Sequence, residues 1–82
     1  MSEALKNSDV RVVGAKQVMR AVEAGRAKKV FIADDTDVFL RSRLYALCSD
    51  AGVEVERVST MRHLGKLCGI SVGSAAAAIV DN

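Results

Sequence analysis

The chain has no proline and no tryptophan, one histidine, two cysteines and, as aromatics, two phenylalanines and one tyrosine. Without proline, glycine must supply the breaks between elements. So few aromatics exclude a stacking platform of the RNA-recognition-motif or cold-shock kind. His63 has no second histidine four residues away, and Cys48 and Cys68 form no CxxC pair. Zinc is therefore not expected, nor any other metal or cofactor. No GxxxxGK phosphate loop precedes a helix, and no serine or cysteine sits in a motif that marks a nucleophile, so an enzyme is not expected. No apolar run approaches the ~20 residues of a membrane span. The start, "MSEALKNSD", has neither a basic opening nor an apolar stretch, so no secretory signal is expected. The two cysteines then read as buried thiols in a cytoplasmic protein. There is no internal repeat, linker, charge block or heptad seam, which points to a monomer.

What remains is ordinary globular material. Eighty-two residues, 50% hydrophobic and 27% charged, make one domain with a modest core. The formal net charge of +2 excludes a polybasic tail but leaves room for a local basic patch.

The periodicity alternates between two kinds. "VRVV" (Val10 to Val13) is a short β-prone run stopping at Gly14. Ala15, Val18, Met19 and Val22 then recur at helical spacing, with Gly25 as a stop. "KKVFIA" (Lys28 to Ala33) reads as a buried strand, and "DDTD" (Asp34 to Asp37) as a turn with acids suited to opening a helix. The predicted helix carries Leu40, Leu44, Leu47, Cys48 and Ala51 as an apolar stripe and ends at Gly52. "VEVERV" (Val53 to Val58) alternates as a strand with one solvated face does. Ser59 or Thr60 can cap a third helix bearing Met61, Leu64, Leu67 and Cys68 and ending at Gly69. "SAAAAIV" (Ser74 to Val80) has helical propensity, but the order of elements predicts a central strand of small residues. The sum is an α/β domain with helices on both faces of a four-stranded sheet.

Three places invite a functional reading. In "GAKQVMR" (Gly14 to Arg20) the apolar residues face one way and Lys16, Gln17 and Arg20 the other. A lysine in a first helical turn opposes the helix dipole, and Lys16 and Arg20 share a face. This is either a solvated face or a helix start that takes a phosphate, with Gln17 able to read a base edge. In "CGISVGS" (Cys68 to Ser74) Ile70 and Val72 stand between two glycines. They either tuck into the core or support an unstacked base. Asp34, Asp35 and Asp37 can hold magnesium, but turn and helix-start chemistry is the preferred reading. Tyr45, in a helical stretch, reads as packing.

Four stretches in order, "GAKQVMRAVEAGRAKKVFIADD", "LYALCSDAGVEV", "LGKLCGISVG" and "SAAAAIV", resemble the kink-turn-binding superfamily of ribosomal proteins. These are the seven-Ae and thirty-e types of the large subunit, and the likeness is strongest to short bacterial members. The resemblance implies a three-layer α/β/α sandwich with a mixed sheet. It also implies binding to kink-turn RNA, in which a helix–bulge–helix bends beside tandem sheared G·A pairs, with the ribosome as a partner. The family pattern at the helix start is glycine, a small residue, asparagine, glutamate, two variable residues, then lysine. Gly14 and Ala15 match it, Arg20 keeps the basic charge, and Lys16 and Gln17 replace the asparagine and glutamate. The family's apolar loop falls on Ile70, Ser71, Val72 and Gly73, without the arginine–proline pair of many members. Asp37 falls where several members place an acid near an extruded nucleotide, followed here by Val38 in place of proline. Two other functions remain: a protein-interaction adaptor on the same fold, and a small nucleotide-handling enzyme using the three aspartates.

Overall fold

The computed structural model describes residues 11–81. Its elements are β1 (Arg11–Val13), α1 (Ala15–Glu23), β2 (Ala27–Ala33), α2 (Val38–Ala51), β3 (Glu54–Val58), α3 (Met61–Leu67) and β4 (Ala76–Val80). Each predicted element is present. Val10, the expected first residue of the first strand, lies outside the described residues.

The strands form one sheet in the order β1-β4-β2-β3. β4 runs antiparallel to β1 and to β2, while β2 and β3 are parallel. β1, β2 and β3 therefore point the same way, and each hands the chain to a helix at the same end of the sheet. β4 starts from that end.

Side-chain alternation divides the core into two layers. Val30, Ile32, Ala76, Ala78 and Val80 pack with Val18, Ala21 and Val22 of α1 and with Leu44 and Cys48 of α2. Phe31, Ala33, Val58 and Ala77 pack with Leu64 of α3 and with Cys68. Two helices thus cover one face and one helix covers the other, a three-layer α/β/α sandwich. Both thiols are buried, as expected, and they lie on opposite sides of the sheet. The alanine run is a strand despite its helical propensity because both edges of its backbone pair with neighbours, and small side chains admit packing on both faces.

Three details differ from the sequence expectation. Ala51 is exposed, so the apolar stripe of α2 ends at Cys48, one turn before the left-handed Gly52 cap. The alternation of "VEVERV" changes phase: Val55 packs towards α1 and α2, but Val58 is buried on the α3 side. Arg57 occupies the next α2-facing position, paired in register with Ile32. Nor is the glutamate face simply solvated. Lys29 lies between Glu54 and Glu56, 3.4 and 3.0 Å away, with its ammonium 5.5 Å from the Phe31 ring centre. No helix among the described residues is long and apolar enough to cross a membrane.

Candidate functional site

The carbonyls of Ala75 and Ala76, at the start of β4, tie together the stretches that the sequence singled out. The Gly14 N–H donates to Ala76 O at 2.8 Å, and the Ala33 N–H to Ala75 O at 3.0 Å. The Thr36 hydroxyl also donates to Ala75 O. The β1–α1 junction, the acidic turn after β2 and the loop before β4 therefore converge on one end of the sheet.

Gly14 opens α1 with φ +107° and ψ 144°, a conformation that only glycine adopts without strain. The Gln17 amide oxygen lies 2.7 Å from where a Cβ on residue 14 would stand, so this side chain folds back over the helix start. No side chain caps α1, and its first turn holds no acid. Its opening N–H groups are left for solvent or a ligand. Ala15 is half-buried against the core; Lys16, Gln17 and Arg20 are exposed as the helical wheel requires. The helix has nine residues, which puts Arg20 in its last turn, where a cation favours the dipole.

The other two helix starts at this end are capped. Asp37 Oδ2 accepts from the N–H groups of Phe39 and Leu40, both at 3.1 Å. At α3 the Thr60 hydroxyl accepts from His63 N–H at 3.0 Å, and Asp35 Oδ1 accepts from Met61 N–H at 2.7 Å. Asp34 is held by Arg57, whose Nε and Nη2 donate to its two oxygens at 3.0 and 3.1 Å. Those hydrogen bonds, with a smaller effect from the Arg57 and Arg41 charges, keep its carboxyl below the usual carboxylate value. Asp37 thus does the helix-start chemistry preferred from the sequence, whereas Asp35 caps the distant α3 and Asp34 is held in an ion pair with Arg57. Among the described residues no three His, Cys, Asp or Glu side chains come together to hold a metal ion.

The loop from Ile70 to Gly73 divides between the two readings its sequence left open. Ile70 packs against the α3-side core, while Ser71, Val72 and Gly73 are exposed, Val72 by 67%. Backbone bonds from Ile70 N–H to Gly65 O and from Ser74 N–H to Met61 O, both 3.0 Å, pin the loop to α3. Val72 lies in the loop that leads into β4, whose start is at the same end as the start of α1. Val38 and Phe39 open α2 at that end, the latter 77% exposed. These three are the large apolar side chains left exposed among the described residues.

Sequence reasoning passed over Phe39, Arg41, Arg57 and Gly65. Phe39 carried a signal, an aromatic off the apolar stripe of its helix. So did Gly65, a glycine inside a helix where no cap is needed. Arg57 was marked only by the break in strand alternation, and the capping by Asp35 spans 26 residues of sequence. Tyr45 is half-buried against the core, as read.

Several known proteins are similar to this chain. An "RNA-binding protein" of Geobacillus thermodenitrificans is 41% identical over 69 residues, which cover 84% of each chain. The large ribosomal subunit protein eL8 of Halobacterium salinarum is 40% identical over 68 residues, 82% of this chain and 57% of that one. Among solved structures, the Giardia lamblia 15.5kD RNA binding protein superposes with a TM-score of 0.87 at 27% identity, covering 99% of this chain and 68% of that one. The mixed sheet, its layers and these likenesses agree with a family model that matches residues 1–82: the chain belongs to the ribosomal protein L7Ae/L30e/S12e/Gadd45 family.

Proposed function

We propose that this protein binds RNA at the end of the sheet where α1 begins, and that the RNA it recognises is a kink-turn. The observation that carries the reading is the contrast among the helix starts. α2 and α3 each have a carboxylate at the first turn, whereas α1 has no cap, no acid and an exposed Lys16. A polyanion supplies the missing negative charge, accepting from the free N–H groups of α1. Its relatives' names, which state RNA binding, favour RNA over other polyanions.

Gly14 and Ala15 let the nucleic acid approach the backbone. Lys16 and Arg20 meet phosphates or guanine edges, and Gln17, which both donates and accepts, reads the sheared G·A pairs. Val72, with Ser71 and Gly73, supports an unstacked nucleotide, and Ile70 anchors that loop from below. Asp37 keeps its capping role and presents its other oxygen to an extruded nucleotide. The protein acts as a cytoplasmic monomer without metal or cofactor, on ribosomal or other structured RNA, and not as an enzyme. The exposed Val38 and Phe39 also fit a protein-docking face, but that reading leaves the uncapped start of α1 without a role.

The test is a titration of wild type, Lys16→Ala, Gln17→Ala and Arg20→Ala with a kink-turn RNA and with one whose G·A pairs are made Watson–Crick, at two salt concentrations. Loss of a guanine contact costs ~1–3 kcal/mol, and loss of a phosphate contact weakens both RNAs alike and flattens the salt slope by about one unit. Gln17→Ala reduces discrimination between the two RNAs. Unchanged affinity in all three variants removes this helix start from the site.

A further inference from the structure

At the same end of the sheet, on the α2 side, Asp34, Arg41, Tyr45 and Arg57 line a cleft of about 440 Å³. Arg41 and Tyr45 are four residues apart on α2 and share a face. Arg57 comes from β3, on the α2 side of the sheet beside Ile32. Asp34 follows β2 and organises the cleft from its centre. Its carboxylate accepts from Arg57, and its backbone oxygen accepts from Arg41 Nη1.

One carboxylate faces two guanidinium groups, so the cleft carries a net positive charge. Most N–H donors of both arginines remain unengaged by these bonds. Arg57 is 72% exposed, and an ion pair so open to water adds little to stability. Asp34 takes the Nε–Nη2 edge and so fixes the direction of the guanidinium, leaving the Nη1–Nη2 edge, whose paired donors also match the spacing of phosphate oxygens. Tyr45 gives the cleft a half-buried aromatic wall. Its position adds a further point. The start of α1 follows β1, at one edge of the sheet, and Arg57 lies on β3, at the other. Three strand spacings of ~4.8 Å separate these edges, roughly 14 Å.

We propose that this cleft takes a phosphate of the bound RNA strand, gripped between Arg41 and Arg57 with its sugar against Tyr45. The proposal rests on the RNA-binding reading and gives that site a second anchor. A strand leaving the start of α1 runs along this end of the sheet and is caught again at β3.

The test compares Arg41→Ala, Arg57→Ala and Arg57→Lys with wild type and Lys16→Ala, using one kink-turn RNA across a salt series. Each arginine-to-alanine change is expected to lower affinity about five- to tenfold and flatten the salt slope by about one unit, with Arg57→Lys recovering part of the loss. A scan of RNAs carrying one neutral methylphosphonate each then locates the phosphate. One position is expected to weaken wild type but leave Arg57→Ala unaffected. If Lys16→Ala weakens binding while both arginine-to-alanine variants bind as wild type does, the cleft proposal is overturned and the RNA reading stands. If wild type binds the RNA without salt dependence and no variant changes affinity, both fall. A scan in which wild type shows no sensitive phosphate beyond those that Lys16→Ala also makes insensitive overturns the proposal even if an arginine variant unfolds. So does saturable binding of a free nucleoside monophosphate that is lost in Arg57→Ala while RNA affinity is kept, since it assigns the cleft to a free nucleotide.

Discussion

The backbone oxygen of Val72 lies 2.0 Å from where a Cβ on Gly65 would stand. The only residue that lets this loop rest on α3 is therefore a glycine in the helix interior. An alanine there gains ~1 kcal/mol of helix propensity but drives a methyl group into a backbone carbonyl. Overpacking of that kind costs ~1–3 kcal/mol, and with backbone as the obstacle the clash prevails. Gly65→Ala is expected to lower the melting temperature by several degrees, at ~4–8 °C per kcal/mol for a domain of this size. A higher melting temperature in calorimetry means the loop does not rest on α3 in solution.

Val72→Asp separates fold from function at the same loop. The side chain is exposed, so its replacement changes stability by no more than ~0.5 kcal/mol. RNA affinity falls, because a carboxylate repels phosphate and the apolar support for a base is gone. The paired measurement is thermal unfolding with RNA titration; a collapse in stability returns Val72 to the core.

Lys16 and Arg20 differ in what they do for the free protein. Lys16 opposes the dipole from the first turn, and its removal is expected to stabilise by a few tenths to ~1 kcal/mol. Arg20 sits in the last turn of a short helix, and its removal costs a few tenths. Denaturant unfolding of the two alanine variants reads the opposite signs. Equal destabilisation by both means that Lys16 has a stabilising role in the free protein.

Asp34 provides a pH test. Its carboxyl is held below the ordinary value of 3.8, first by the hydrogen bonds from Arg57. A group whose folded pKa is depressed contributes its stability above the unfolded pKa and loses it as pH falls through the folded one. The pair is therefore complete from mildly acidic pH upwards and dissolves only below 3.8. Carboxyl NMR is expected to show Asp34 titrating below 3.8 in wild type and returning towards it in Arg57→Ala. A wild-type midpoint at or above the ordinary value breaks the pair.

Much of this architecture was legible because local signals agreed with the global fold. Val18 and Val22 against Lys16 and Gln17 marked two faces of α1, and Asp37, Thr60 and Gly52 marked helix ends. What escaped was set by contacts between distant residues. Nothing near Asp35 says that it caps a helix beginning at Met61, and nothing near Arg57 names Asp34 as its partner. The division of labour between Ile70 and Val72 was undecidable from "GISVG", because it depends on where Gly65 lets the loop lie. The candidate site residues followed the same rule: the helix-start group was visible as a pattern, the proposed β3 flank was not.

If RNA binds at the start of α1 as proposed, the arrangement of caps also acts as a key. Three helices start at one end of the sheet, and each start on its own attracts an anion. Asp37 and Asp35 occupy two of them. A phosphate that lands a few ångströms out of place meets a carboxylate instead of free N–H groups, and is turned away. A repeating polyanion offers many equivalent charges and so many near-degenerate seatings. With one lock open and two closed, most of those registers are disfavoured before any base is read.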